Sequence, residues 1–112
     1  MGILTGQTAL VTGASRGIGG AIAIGLARNG ASVYLLGRDQ PRLRSMARSA
    51  SRTSPKVRIY RADFSSQQDL SRVTLQLQQD IPRLHILVHA AGEIVVGDII
   101  SSPVRSFDLQ YR

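Results

Sequence analysis

Residues 12–19 read TGASRGIG, and this stretch decides how the rest of the chain is interpreted. It follows an apolar run at residues 8–11 and opens into a helical pattern that begins at Ile18. Three glycines between a strand and a helix form a tight turn in which a ligand can approach the backbone closely. The first turn of the helix adds unpaired N–H groups and the positive end of a dipole. The stretch therefore predicts an anion site, and the anion expected in this context is the pyrophosphate of a dinucleotide.

Strand and helix patterns alternate along the chain with short connections, which is typical of a parallel sheet. We predict strands at residues 8–11, 32–36, 57–61 and 84–89. We predict helices at residues 18–28, from about 39 or 40 to 50, and from about 66 to a point before Pro82. Residues 93–101 fit no single pattern, and a last helix is expected to open after Ser102.

The spacing of apolar residues predicts which side of each helix faces the sheet. Ser66 followed by Asp69 resembles a capping box with Asp in place of Glu, so it predicts the start of the third helix. Two buried stripes are predicted, namely Ile18, Ile22 and Leu26 in the first helix and Leu70, Val73 and Leu77 in the third.

Length and composition indicate one domain over residues 1–112, and a hydrophobic content of 43% can supply its core. The chain has no cysteine, which excludes disulfides and thiolate metal sites. His85 and His89 lie too far apart on a strand to hold one metal, so we predict no metal site. No apolar run reaches the length of a membrane span, and the first residues do not resemble a secretory signal. We therefore expect a cytoplasmic protein with no membrane partner.

The formal net charge of +7 comes from thirteen arginines and the single lysine, Lys56. Arg44, Arg48 and Arg52 recur at helical spacing and predict one basic face. Such a face is compatible with nucleic acid, but only five aromatic residues are present and none is interleaved with this row. We expect no nucleic-acid partner, because the phosphates of a cofactor are a sufficient partner for some of this charge.

The order Thr-Gly-x-x-x-Gly-Ile-Gly resembles the glycine motif of the short-chain dehydrogenase/reductase family. The resemblance implies an α/β fold with a Rossmann-type doubly wound parallel sheet. It also implies hydride transfer between the nicotinamide of NAD or NADP and a carbonyl or alcohol substrate. The cofactor-binding residues implied by the motif are Gly13, Ser15, Arg16, Gly17, Ile18 and Gly19.

The residues after the second strand bear on the choice of cofactor. NAD-specific sites usually place an acidic residue at this strand end, where it bonds the ribose 2′-hydroxyl. Here the nearest residue is Arg38, whose guanidinium can bind a 2′-phosphate with charge-assisted bonds, and Arg16 lies close enough to join it. We therefore expect NADP(H) rather than NAD(H), although Asp39, one residue on, keeps NAD open.

The resemblance continues at the next two strand ends. Asp63 and Phe64 match the position where the family holds adenine. The residues Ala90, Ala91 and Gly92 match the segment that lines the ribose and nicotinamide. The family's usual Asn-Asn-Ala-Gly is changed here, with His89 and Ala90 in place of the two asparagines, and Gln110 replaces a further asparagine of the family's proton relay; we assign Gln110 no catalytic role.

The family's catalytic serine and its Tyr-x-x-x-Lys motif do not occur among these 112 residues, so no catalytic residue is predicted. None of the three tyrosines has a lysine four residues later. We expect the cofactor-binding half of a longer reductase, with a sheet truncated after about four strands and the fourth strand at an open edge. The complete parent is expected to act on a small carbonyl or alcohol substrate, and family members commonly associate as homo-oligomers.

Two other interpretations remain open at this point. One is a non-catalytic module that binds NADP(H) or senses its redox state. The other is a methyltransferase of similar fold, a class that keeps an acidic residue after the second strand. Arg38 at that place argues against the methyltransferase.

Overall fold

The computed structural model describes residues 2–15, 17–63 and 65–89, together with the backbone of residues 93–96. Its strands are β1 (Thr8–Thr12), β2 (Ser32–Gly37), β3 (Val57–Arg61), β4 (Ile86–His89) and β5 (Glu93–Val96). Its helices are α1 (Gly17–Arg28), α2 (Gln40–Ala50) and α3 (Gln67–Asp80). Within the described residues, no helix combines the length and apolar character that a membrane span requires.

The strands form one sheet in the order β3-β2-β1-β4-β5. The first four are parallel, which confirms the predicted α/β fold with a Rossmann-like sheet. The expectation of an open edge at β4 is wrong, because β5 pairs antiparallel with it and places Ile86 opposite Val96. A short connection is enough for an antiparallel pair, whereas a parallel one needs a long crossover. The mixed pattern of residues 93–101 did not predict this strand.

The two faces of the sheet carry separate apolar clusters, as the alternation of side chains along a strand requires. Ala9 and Val11 of β1 pack on one face with residues of α1 and α2. Leu10 packs on the other face with Val73 and Leu77 of α3. Helices therefore cover both faces of the sheet, and the predicted buried stripe of α3 is confirmed. Both clusters are nearly solvent-free, as expected for a parallel sheet.

The buried side of α1 differs from the predicted one. Ile18 is 71% exposed, while Ile22 and Leu26 only border the core. The residues that face the sheet are small, namely Gly19, Gly20, Ala23 and Ala27. Small side chains let the helix axis approach the strands closely, and this contact turns Ile18 toward solvent.

The starts of α2 and α3 are capped by side chains that accept backbone N–H groups. The Asp39 carboxylate accepts from the N–H of Arg42 at 3.2 Å, and the Ser66 hydroxyl accepts from the N–H of Asp69 at 3.2 Å. The capping box at Ser66 is only half formed. The Asp69 carboxylate accepts instead from the N–H of Asp63 at 2.9 Å, which ties α3 to the end of β3.

Two stacked tyrosines join β2 and β3 to the end of α3. The rings of Tyr34 and Tyr60 lie 6.1 Å apart between centroids. The Tyr60 hydroxyl donates to the Asp80 carboxylate at 2.5 Å, and the Tyr34 hydroxyl donates to the Asp80 carbonyl at 3.4 Å. Burial raises the pKa of Tyr60 above its ordinary value, and the hydrogen bond to the Asp80 carboxylate raises it further.

This raised pKa gives folding a pH dependence that can be measured. An unfolded chain releases the tyrosine proton at about pH 10, whereas the folded chain releases it only at higher pH. The free energy of unfolding must therefore fall as the pH rises above that value. We expect the urea midpoint of the wild type to fall more between pH 9 and pH 11 than that of Tyr60→Phe. Equal losses in the two proteins would contradict the assignment.

Candidate functional site

The carboxyl ends of the parallel strands meet at one edge of the sheet. Thr12 pairs with Leu36, and Gly37 pairs with Arg61, so β1, β2 and β3 end side by side. The chain leaves β1 between two strands that lie on opposite sides of it, β2 and β4. Ligands of open α/β sheets bind outside such a reversal point. Those predicted cofactor residues that the structure describes after β1, β2 and β3 therefore lie along a common edge.

Two hydrogen bonds hold the end of β1 and the loop after it against both neighbouring strands. The N–H of Ala14 donates to the carbonyl of Leu36 at 3.1 Å. The hydroxyl of Thr12 donates to the carbonyl of Val88 at 3.2 Å. Between these two contacts the chain turns at Gly13, whose φ of +68° lies in the left-handed region that favours glycine.

The three glycines of the loop serve different physical needs. Gly13 supplies the left-handed backbone conformation. A Cβ on Gly19 would overlap the carbonyl oxygen of Gly13, so this glycine lets α1 pack against the loop. A Cβ on Gly17 would meet no described atom within 4 Å. Gly17 is exposed, so the described residues leave the start of α1 uncovered there, and the first N–H groups of a helix have no partner within it.

A cleft of about 680 Å³ lies beside this turn. Ser15 is buried at 7% exposure and packs over Gly37, where a Cβ would lie 2.9 Å from the Ser15 hydroxyl oxygen. Arg38 follows Gly37 and is exposed. The guanidinium of Arg38 makes no hydrogen bond or ion pair with any other residue that the structure describes. The cleft is lined by Ser15, Gly17, Arg38, Asp39 and Arg42.

Asp39 is engaged by the helix that it starts. One carboxylate oxygen accepts from the backbone N–H of Arg42, and the other lies 3.4 Å from the Arg42 Nε. The contact with Arg42 therefore compensates part of the negative charge of Asp39 within the cleft.

Asp63 presents an ionised carboxylate at the end of β3. One of its oxygens accepts from the Ser65 hydroxyl at 2.7 Å and from the Ser65 N–H at 3.0 Å. These hydrogen bonds, aided by the charges of Arg38 and Arg61, lower the pKa of Asp63. The other oxygen has no hydrogen bond within the described part of the chain, so the carboxylate can still accept from a ligand.

Of the predicted cofactor-binding residues, Ser15, Gly17 and Arg38 line the cleft, and Asp39 and Arg42 line it with them. Arg42 was not predicted, although a basic residue in the first turn of a helix opposes the helix dipole and was a usable signal. Among the residues described, no group of three or more histidines or carboxylates could hold a metal. The predicted residues Arg16, Phe64, Ala90, Ala91, Gly92 and Gln110 lie outside the described residues.

Comparison with known proteins agrees with this geometry. The sequence pattern of the short chain dehydrogenase family matches residues 7–110. The chain belongs to this family. A candidate daunorubicin C-13 ketoreductase of Streptomyces sp. strain C5 is 40% identical over 92 residues, covering 81% of this chain and 32% of the relative. The chain spans about a third to a half of the length of the curated relatives it matches.

Two similar solved structures of the family are complexes with NADP or NADPH. A Pseudomonas aeruginosa RhlG/NADP active-site complex has a TM-score of 0.69 and 40% identity, with 77% of this chain and 34% of that one covered. An L-sorbose reductase of Gluconobacter frateurii, in complex with NADPH and L-sorbose, has a TM-score of 0.68 and 32% identity, with 75% and 32% covered.

The glycine contacts predict opposite effects of one substitution at two positions of α1. Gly19→Ala forces a methyl group onto the Gly13 carbonyl and should lower the free energy of unfolding by about 1–3 kcal/mol. Gly25→Ala enters open space within the same helix and should raise it by about 0.5–1 kcal/mol. Urea unfolding measures both values. A neutral Gly19→Ala would contradict the close packing of α1 on the loop.

Proposed function

We propose that this chain binds NADP(H) and forms the cofactor-binding part of an oxidoreductase that acts on a carbonyl or alcohol substrate. The proposal rests on which charged side chains of the cleft already have a hydrogen-bond or ion-pair partner. Among the described residues, the Arg38 guanidinium makes no hydrogen bond or ion pair. The carboxylate of its acidic neighbour Asp39 accepts from the N–H of Arg42 and forms an ion pair with the Arg42 Nε. The cleft therefore offers an unpaired guanidinium beside a carboxylate whose charge is compensated, which favours a 2′-phosphate over a ribose diol.

The pyrophosphate would lie at the start of α1. Gly17 leaves the first turn open, and this turn contains no acidic residue that would repel an anion. The helix dipole and the free N–H groups favour negative charge there. We assign Gly13 and Gly19 to the shape of the turn, and Ile18, which is exposed on the first turn, to its surface.

The 2′-phosphate would lie between Arg38 and the buried hydroxyl of Ser15, with Arg16 as a further cation. Adenine would lie beside the carboxylate of Asp63 and the backbone of Phe64. The ribose and nicotinamide would follow the segment Ala90, Ala91 and Gly92. The two solved relatives in complex with NADP and with NADPH support this choice of cofactor.

When bound, the nicotinamide supplies a hydride, and the carbonyl oxygen of the substrate must then receive a proton. Neither described tyrosine stands in the cleft as a donor. Tyr34 and Tyr60 are buried on the α3 side of the sheet and donate to Asp80. The proposal therefore gives this chain the binding and orientation of the cofactor, and gives no described residue a proton-transfer step.

Loss of the Arg38 guanidinium should change the choice of cofactor. Arg38→Ser removes a charge-assisted contact worth about 1.5–3 kcal/mol, so the NADPH dissociation constant should rise about tenfold or more while that of NADH changes little. Calorimetric titration of the intact protein measures both. Arg48→Ser, which removes an exposed charge from the last turn of α2, serves as the control. An unchanged preference in Arg38→Ser would refute the assignment.

The open space at Gly17 predicts a separation of binding from stability. Gly17→Ala meets no described protein atom, so the fold should tolerate it, but its methyl group would occupy the approach of the pyrophosphate. We expect NADPH affinity to fall at least tenfold with an unfolding midpoint close to that of the wild type. Gly25→Ala, also in open space but eight residues along the helix, should bind NADPH normally. Equal affinities in the two variants would count against the site.

A further inference from the structure

We infer that Arg42 is a specificity-determining residue that favours NADP(H) over NAD(H) in two ways. Through Nε it neutralises the carboxylate of Asp39, and through its two Nη nitrogens it binds the 2′-phosphate that Arg38 also contacts. This inference rests on the proposed binding of NADP(H). It adds a second guanidinium and gives a reason why an acidic residue can stand beside the phosphate subsite.

Asp39 is a difficulty for phosphate binding unless its charge is compensated. It follows Arg38 directly and lines the same cleft. A 2′-phosphate carries more than one negative charge near neutral pH, so an uncompensated carboxylate beside it would repel it. The backbone N–H of Arg42 and its Nε each hold one oxygen of Asp39, at 3.2 and 3.4 Å. One residue thus engages the whole carboxylate.

Arg42 has further N–H donors that the contact with Asp39 does not use. A guanidinium has five N–H donors in a planar fork, and the contact with Asp39 uses only the Nε side. The Nη nitrogens of Arg42 have no partner among the described residues. The side chain is 68% exposed and lines the cleft with Arg38, so its free edge can turn toward an anion there.

The competing explanation is that Asp39 and Arg42 form an ordinary ion pair at a helix start. Such a pair stabilises the first turn of α2 and has no effect on cofactor choice. This explanation does not account for two observations, namely the position of Arg42 in the lining of the cleft and the absence of a described partner for its Nη nitrogens. Measured affinities for the two cofactors separate the two explanations.

The first test compares Arg42→Gln with Arg44→Gln in the intact protein. Both substitutions remove one charge from an exposed position of α2, but only Arg42 lines the cleft. Titration with NADPH and NADH should show at least a tenfold loss of NADPH affinity in Arg42→Gln, with NADH unchanged or tighter. Arg44→Gln should stay within about twofold of the wild type for both. Equal changes in the two variants would overturn the inference.

The second test isolates the neutralisation of Asp39. Asparagine also caps helices well, so Asp39→Asn removes the charge and keeps the start of α2. In the wild-type background this change should alter NADPH affinity less than threefold. In the Arg42→Gln background it should restore NADPH affinity at least threefold, because it removes the exposed repulsive charge. No recovery in the double variant would overturn this half of the inference.

A third probe keeps a failure of this inference distinct from a failure of the proposed function. Adenosine 2′,5′-bisphosphate and adenosine 5′-monophosphate differ only in the 2′-phosphate. If the wild type binds both equally, the proposed NADP(H) preference fails, and the inference fails with it. If the wild type prefers the bisphosphate and Arg42→Gln keeps the full preference, only the role of Arg42 is overturned. A preference lost in Arg42→Gln supports both.

Discussion

The close contact between α1 and the loop that leaves β1 determines where the cleft lies. Gly13 turns the chain at a positive φ, and Gly19 leaves room for the Gly13 carbonyl against the helix. The bond from Ala14 to Leu36 then holds the loop beside the end of β2. The first turn of α1 and the residues after β2 can therefore contact one ligand. Without this contact, Arg38 and the helix N-terminus would belong to separate surfaces.

The charges around the cleft decide what it can bind. Two arginines follow β2, and the acidic residue between them is engaged by Arg42. Asp63 at the next strand end is held ionised by Ser65 and by the nearby arginines. The cleft thus presents two arginines and one carboxylate whose charge is compensated, and the carboxylate of Asp63 lies at the end of the neighbouring strand.

Much of the fold could be predicted because local signals and burial agree. The strand at residues 57–61 follows from alternation alone, and the cap at Ser66 follows from capping chemistry alone. The exposure of Ile18 could not be predicted from spacing, because the tight approach of α1 selects small residues and turns the isoleucine outward. Strand β5 was missed since an antiparallel edge strand needs no crossover pattern. Arg42 was missed because its place in the cleft depends on the Asp39 cap.

The most direct test of the account is a nucleotide titration followed by backbone amide NMR. Adenosine 2′,5′-bisphosphate should shift the amides of Gly13, Ser15, Gly17 and Arg38 at lower concentration than adenosine 5′-monophosphate does. The shifts should be confined to the carboxyl edge of the sheet and the start of α1. Shifts that centre on another surface, or that show no preference for the 2′-phosphate, would contradict the account.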